Sequence, residues 1–290
     1  MLNLPRSSFY YKRKAITPDH QELIKRIEEI IEEFPGYGYR RVTRQLHREH
    51  IPINHKKVLR IMRERNLTRK KKRRFIRTTD SKHSCKIYPN LLNKCSVTAL
   101  NQVWVADITY IRITSAFVYL AVILDLFSRK AIGYCISRHL DTSFCLSALT
   151  MAIKSRHPPK GVMHHSDRGV QYASHDYVAM LQSYQFVISM SRKGNPFDNA
   201  TAESFMKTLK NEEVHLWEYR TLADVQKRLP YFIEQVYNQK RLHSSLDYRP
   251  PDEFEQMFLS NKQPQNPCVP SVAAPQFQYG KHSNMMAHFC

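Results

Sequence analysis

Three acidic residues are placed where a chain seldom keeps acids without a reason: Asp107, Asp167 and Glu203. Asp107 lies inside the apolar run "VWVADITYIRI", between Val105 and Ile108, where a buried carboxylate is expensive unless something compensates it. Asp167 follows the short run "KGVMHHS" and precedes Arg168 and Gly169, so its plainest reading is a turn at the end of a strand. Glu203 falls at a polar position of an amphipathic helical pattern. Each has an ordinary explanation alone: an ion-paired strand acid, a turn acid, a solvated helix acid. As a set on successive elements they are carboxylate oxygens, the donors that hard divalent cations such as Mg2+ prefer.

The elements that must position these acids follow from periodicity. "VWVADITYIRI", "FVYLAVILDL" and "KAIGYCI" are three β-rich runs with short connections, which predicts an antiparallel meander. A helix from about Asp141 to Arg156, a strand from Gly161 to His165, a helix from about His175 to Tyr184, the strand "FVISM" and a helix from about Asn199 to Glu213 come next. That order is an α/β domain with a mixed five-stranded sheet, parallel beyond the third strand because helical crossovers join those strands. On the last helix Asn199, Lys207 and Lys210 fall near the face of Glu203, while Ala202, Phe205 and Leu209 face the core. His165 shares a strand face with Asp167, which leaves two readings, a phosphate or ligand-water contact and a packed imidazole. Asp125 and Ser128 read as turn formers, Asp198 as a loop or capping acid, and Trp104 as core. A kink is expected at Pro230, and "RLHSSL", Arg241 to Leu246, reads equally as a DNA contact or as packing.

Net charge is +20, from 45 Lys+Arg against 25 Asp+Glu, and it is concentrated early: residues 1 to 85 hold 23 Lys/Arg and 9 Asp/Glu. Such an excess calls for an anionic partner, and nucleic acid fits it best. Residues 1–68 read as helical. Leu23, Ile27, Ile30, Ile31 and Phe34 mark a first helix that stops at "PGYG". A second, about Tyr39 to His50, turns Val42 and Leu46 inward and Arg40, Arg41, Arg44 and Arg48 outward. A third, capped by Asn54, buries Val58, Ile61 and Met62 and exposes His55, Lys56, Arg60 and Arg63, with Lys57 adding to its basic character. The pair resembles a helix-turn-helix with a basic outer face. The unbroken basic run Arg69, Lys70, Lys71, Lys72, Arg73 and Arg74 opens a linker expected over 69–100. The catalytic unit is expected over 101–258, and 259–290, rich in Pro, Gln, Asn and Ser, as a disordered tail. Six scattered cysteines form no C-x-x-C pair, no segment reads as a signal peptide, and no apolar run is long enough for a membrane span. The expected place is the cytoplasm, associated with the nucleoid.

The carboxylate order and spacing, with "WVADITYI", "LDLFSRKAIGY", "HHSDRGVQYAS", "KGNPFDNATAESF" and "YNQKRLHSSL", resemble the transposases of bacterial insertion sequences encoded in two overlapping frames, specifically the second-frame product. The resemblance covers roughly residues 20 to 257 and extends to the wider retroviral-integrase superfamily. Leu242 stands where that family usually has proline, and Asp247 where it often has glycine. The resemblance implies a ribonuclease-H-like integrase core preceded by a small all-α helix-turn-helix domain. It also implies Asp107, Asp167 and Glu203 as ligands of two Mg2+ ions, with Mn2+ as a substitute, and DNA cleavage and strand transfer at element ends. Lys210, seven residues after the glutamate, is implied to contact DNA near the scissile phosphate. Implied partners are the terminal inverted repeats, target DNA, further copies of the chain, and an upstream-frame product fused to it or bound to it. That product carries another helix-turn-helix and a dimerising helix, so this polypeptide alone is expected to bind DNA mostly without specificity. Two alternatives stay open at this stage: a catalytically silent DNA-binding regulator, and a ribonuclease-H-type nuclease.

Overall fold

The computed structural model describes residues 20–68, 85–192 and 195–262. The basic run Arg69 to Arg74 and the tail from residue 263 lie outside the described residues. Helices α1 (His20–Glu33), α2 (Tyr39–Arg48) and α3 (His55–Glu64) form the first unit. Their apolar stripes meet in one core of Leu23, Ile27, Ile30, Val42, Leu46, Val58, Ile61 and Met62. Asn54 caps α3 by accepting from the Lys56 amide at 2.8 Å, and Arg26 on α1 grips Glu49 after α2 through two hydrogen bonds of 2.6 and 2.7 Å.

The second unit is built on strands β1 (Val103–Arg112), β2 (Phe117–Asp125), β3 (Ala131–Ser137), β4 (Met163–Ser166) and β5 (Val187–Met190). Their order in the sheet is β3-β2-β1-β4-β5. The first three pair antiparallel, and β4 and β5 are parallel to β1, as the helical crossovers require. Strand alternation divides the core. Val103, Val105, Leu120, Val122 and Leu124 face helices α7 (Ala200–Leu209) and α8 (Leu222–Tyr231). Trp104, Ala106, Ala121 and Ile123 face α4 (Thr142–Arg156) and α6 (His175–Ser183). A one-turn helix, α5 (Val170–Ala173), precedes α6, and α9 (Pro251–Lys262) closes the described chain.

Several boundaries depart from the sequence reading. Residues 85–100 are no free linker: Leu92, Cys95 and Val97 pack on one sheet face, and the Leu91 amide donates to Ser189 Oγ. The expected tail begins inside α9, which runs to Lys262. After Leu209 and again after Tyr231 the helices widen into π-type turns, Lys210–Val214 and Phe232–Asn238. The second follows Pro230, whose missing N–H already breaks the ladder there.

Contacts between the two units are specific. At the end of α1, Gly36 lies against Glu212 so closely that an added Cβ would fall 2.1 Å from Glu212 Cγ. Glu212 holds the buried Arg241 guanidinium with two hydrogen bonds of 2.7 and 2.8 Å. Buried Tyr37 accepts from the Leu242 amide at 2.7 Å, a bond that the proline more usual there could not donate. Asp247, in the place often held by glycine, has φ 52, the left-handed conformation that explains the preference.

Candidate active site

Val105 of β1 pairs with His165 of β4, so two residues further along, Asp107 comes level with Asp167, just beyond the last residue of β4. Asp107 has the parity of Val103 and Val105 and therefore faces the α7 side of the sheet. Sheet register alone thus delivers two acids to one point where β4 has ended and the sheet opens.

Asp167 forms the turn that its position predicts, with Oδ1 accepting from the Gly169 amide at 2.9 Å. Glycine gives that carboxylate room: a Cβ at 169 would stand 3.0 Å from the same Oδ1 and make it shift. Asp107 Oδ1 accepts only from the amide of the next residue, Ile108, at 2.9 Å among its described hydrogen bonds. Burial, then the nearby Asp167 and, more weakly, Glu203, push its carboxyl up to about 8, with Lys210 opposing. Like charges crowded without a strong counter-charge are the electrostatic signature of a cation site.

The third acid arrives on α7. Glu203 is exposed in the first turn of that helix, and partial burial raises its carboxyl above the usual range. Asn199 anchors the helix start by donating from Nδ2 to the Ala106 carbonyl at 3.0 Å, beside Asp107. At 6% exposure Asn199 is a strut between α7 and β1, and its Oδ1 is a buried acceptor without a partner among the described residues. Lys210 places Nζ 4.5 Å from the Tyr110 ring centroid and interacts with Asp107, while Lys207 is exposed one turn after Glu203.

His165 resolves to the packed reading. It is 0% exposed, held between Ser189 Oγ at 2.9 Å and Ser191 Oγ at 3.0 Å, and burial lowers its pKa to about 4. A neutral, enclosed ring offers no surface to phosphate, so this candidate contact is withdrawn. Asp198 is buried and fixes the loop before α7 by accepting from the Arg192 amide and guanidinium. Sequence reading missed Tyr110 as the platform for Lys210 and the two serines that clasp His165; the serines are legible only as alternate residues of a strand continued past its end.

Among the described residues no three His, Cys, Asp or Glu side chains converge tightly enough to enclose an ion as the chain stands. Asp107 and Asp167 come level at the strand ends, and Glu203 stands exposed on α7. The donor set is all carboxylate oxygen, and the close Gly169 keeps the space beside Asp167 free. This chemistry fits a hard divalent cation.

On the basic unit Arg40, Lys56 and Arg60 are exposed and Lys57 is partly so. Arg41 corrects its expected outward placement: it stacks over Tyr37 at 5.6 Å and points into the joint between the units. Arg48 is exposed but ion-paired with Glu253 of α9. No helix among the described residues is long and apolar enough to cross a membrane.

The chain matches the model of an HTH-like domain over residues 18–75 and models of the integrase core domain over 97–196 and 184–251. It is 38% identical over 239 residues to the transposase for insertion sequence element IS904 of Lactococcus lactis, covering 82% of this chain and 94% of the relative. Against the putative transposase InsK for IS150 of Escherichia coli identity is 36%, over 87% and 89% of the two chains. The InsF transposase for IS3A of Escherichia coli is also 36% identical, over 77% of this chain and 78% of that one. With a helical unit of matching kind, a mixed five-stranded sheet and two aspartates brought level at its opened edge, the chain belongs to the insertion-sequence transposases, DNA-transferring enzymes of the DDE type.

Proposed function

We propose that Asp107, Asp167 and Glu203 are the catalytic acids of this transposase and hold two Mg2+ ions, which Mn2+ can replace. The observation that supports this most is the level Asp107–Asp167 pair, where burial first and then the neighbouring Asp167 push the Asp107 carboxyl up to about 8. When bound, such ions polarise a scissile phosphodiester and lower the pKa of a bound water or 3′-hydroxyl. The protein's part is positioning. Asp167 is fixed by its own turn, Asp107 by the strand, and Glu203 closes from α7, whose start Asn199 ties to β1. Lys210, steadied on Tyr110, lies where it can neutralise a substrate phosphate beside the acids. Lys207 extends that positive edge.

The DNA partners are the element's terminal inverted repeats and target DNA, gripped through Arg40, Lys56, Lys57 and Arg60, with Arg69 to Arg74 adding non-specific attraction. Several copies act together on DNA, and an upstream-frame product, fused or associated, sharpens end recognition. The place of action is the cytoplasm, at the nucleoid. The test is strand transfer from end DNA by wild type, Asp107→Asn and Glu203→Gln across a Mg2+ titration. Both variants should lose cleavage and joining by roughly 10^2-fold or more, the scale of losing a principal electrostatic group, while binding duplex as wild type does. Activity within about tenfold of wild type in either variant at saturating Mg2+ removes that residue from the set.

A further inference from the structure

A second polar site lies away from the acids, where α2, the turn between β2 and β3, α7 and the segment after Tyr237 meet. The pocket is a small cavity of ≈ 100 Å³ open to solvent. Three guanidiniums line it: Arg41 from α2, Arg129 from the β2–β3 turn, and Arg241. Of these, Arg241 is neutralised by Glu212. Among the described residues Arg41 and Arg129 have no carboxylate partner, and the Arg41 Nε is buried without any acceptor. Arg129 has one side-chain bond, to Thr201 Oγ1, and sits at φ 64, a strained conformation for a side-chain-bearing residue.

The remaining wall supplies hydroxyls and one idle nitrogen. Thr201, Ser204 and Thr208 recur along one stripe of α7, directly beside Glu203 in sequence. His243 is 8% exposed, its ring stands edge-on to Tyr237 at 4.8 Å, and its Nε2 has no partner among the described residues. Half-buried guanidiniums with no bonded carboxylate and an unsatisfied buried imidazole nitrogen are each costly. A tetrahedral oxyanion gives the guanidinium and hydroxyl donors acceptors at once.

We propose that this pocket binds a phosphate group, supplied by the backbone of the DNA substrate. The DNA source rests on the transposase reading; the phosphate chemistry does not. Because Arg41 comes from the first unit and Arg129 and Thr201 from the second, the site is complete only when the two are docked. A strand seated there clamps the DNA-binding helices onto the helix that carries Glu203.

The test uses the full chain in EDTA, so that no cation chemistry intervenes, with Arg129→Gln and Ser204→Asp as variants. Ser204 is exposed, so its replacement leaves the core intact even if Arg129→Gln unfolds. Inorganic phosphate should raise the melting temperature of wild type more than chloride at equal ionic strength, and both variants should lose most of that rise. For duplex DNA, Arg129→Gln should lower the slope of log K against log salt by about 0.9, the value for a single phosphate, and Ser204→Asp should weaken binding several-fold. Protection by inorganic phosphate with unchanged DNA binding in both variants would assign the site to a free anion and overturn the DNA source. No protection and no change in DNA binding would overturn the site itself. Neither readout requires catalysis, so failure of the pocket and failure of the carboxylate assignment remain separate results.

Discussion

Asp107 is held in a place that disfavours its charge, and this has a consequence for stability. Its folded pKa of about 8 stands far above the ordinary 3.8, so the protonated folded form is the comfortable one. The contribution to stability is complete below about 3.8 and is lost as pH rises through about 8. In EDTA, Asp107→Asn should therefore melt above wild type at pH 8, with the gap closing toward pH 4; a variant that melts lower at pH 8 would refute the cost of charge that burial and Asp167 impose there. Gly169→Ala tests the space beside Asp167. Its φ of −64 admits alanine, so stability should change by no more than about 1 kcal/mol, while strand transfer falls at least tenfold because the carboxylate must shift. At this scale the sequence was legible for Asp107, Asp167 and Gly169, whose local context is unusual. It left His165 between two readings and placed Asn199 only near the face of Glu203, because their partners, Ser189, Ser191 and the Ala106 carbonyl, are fixed only by sheet pairing and helix docking.

At the scale of elements, period and punctuation located every strand and the longer helices to within a few residues, since alternation and 3.6-residue stripes report directly on burial. The π-type turns after Leu209 and Tyr231, the one-turn helix α5 and the length of α9 left no such trace. What fixes α9 is long-range. Glu255, 5% exposed, accepts from Ser128 and Arg156 and so joins α9 to α4 and to the β2–β3 turn that Asp125 organises. Removing one partner of a buried ion pair leaves the other uncompensated, so Glu255→Ala should cost about 3 kcal/mol. Exposed Arg60 and Glu64 form an i,i+4 pair on α3, and Glu64→Ala should cost at most about 0.5 kcal/mol. Chemical denaturation of both variants checks the contrast; equal losses would mean that Glu255 holds nothing in place.

Across the whole molecule, the charge of +20 correctly announced nucleic acid, but composition could not say how the basic helices face the catalytic sheet. Tyr37 on Leu242, Gly36 on Glu212 and Arg48 on Glu253 make that joint, and each links residues far apart in the chain. The basic run Arg69 to Arg74 belongs to the same scale. Neutralising it should make duplex binding less salt-dependent, the log–log slope falling by about 0.9 for each phosphate that the run had neutralised; an unchanged slope would make the run a bystander. We place the catalytic centre of the transposase where β1 runs level past the end of β4. Strand transfer by Asp167→Asn in Mg2+ tests it most directly, because Asp167 sits on the turn that the site is built around and the amide keeps its shape. The variant should neither cleave nor join, with duplex affinity close to wild type; joining of DNA ends in Mg2+ by Asp167→Asn would place the catalytic centre elsewhere.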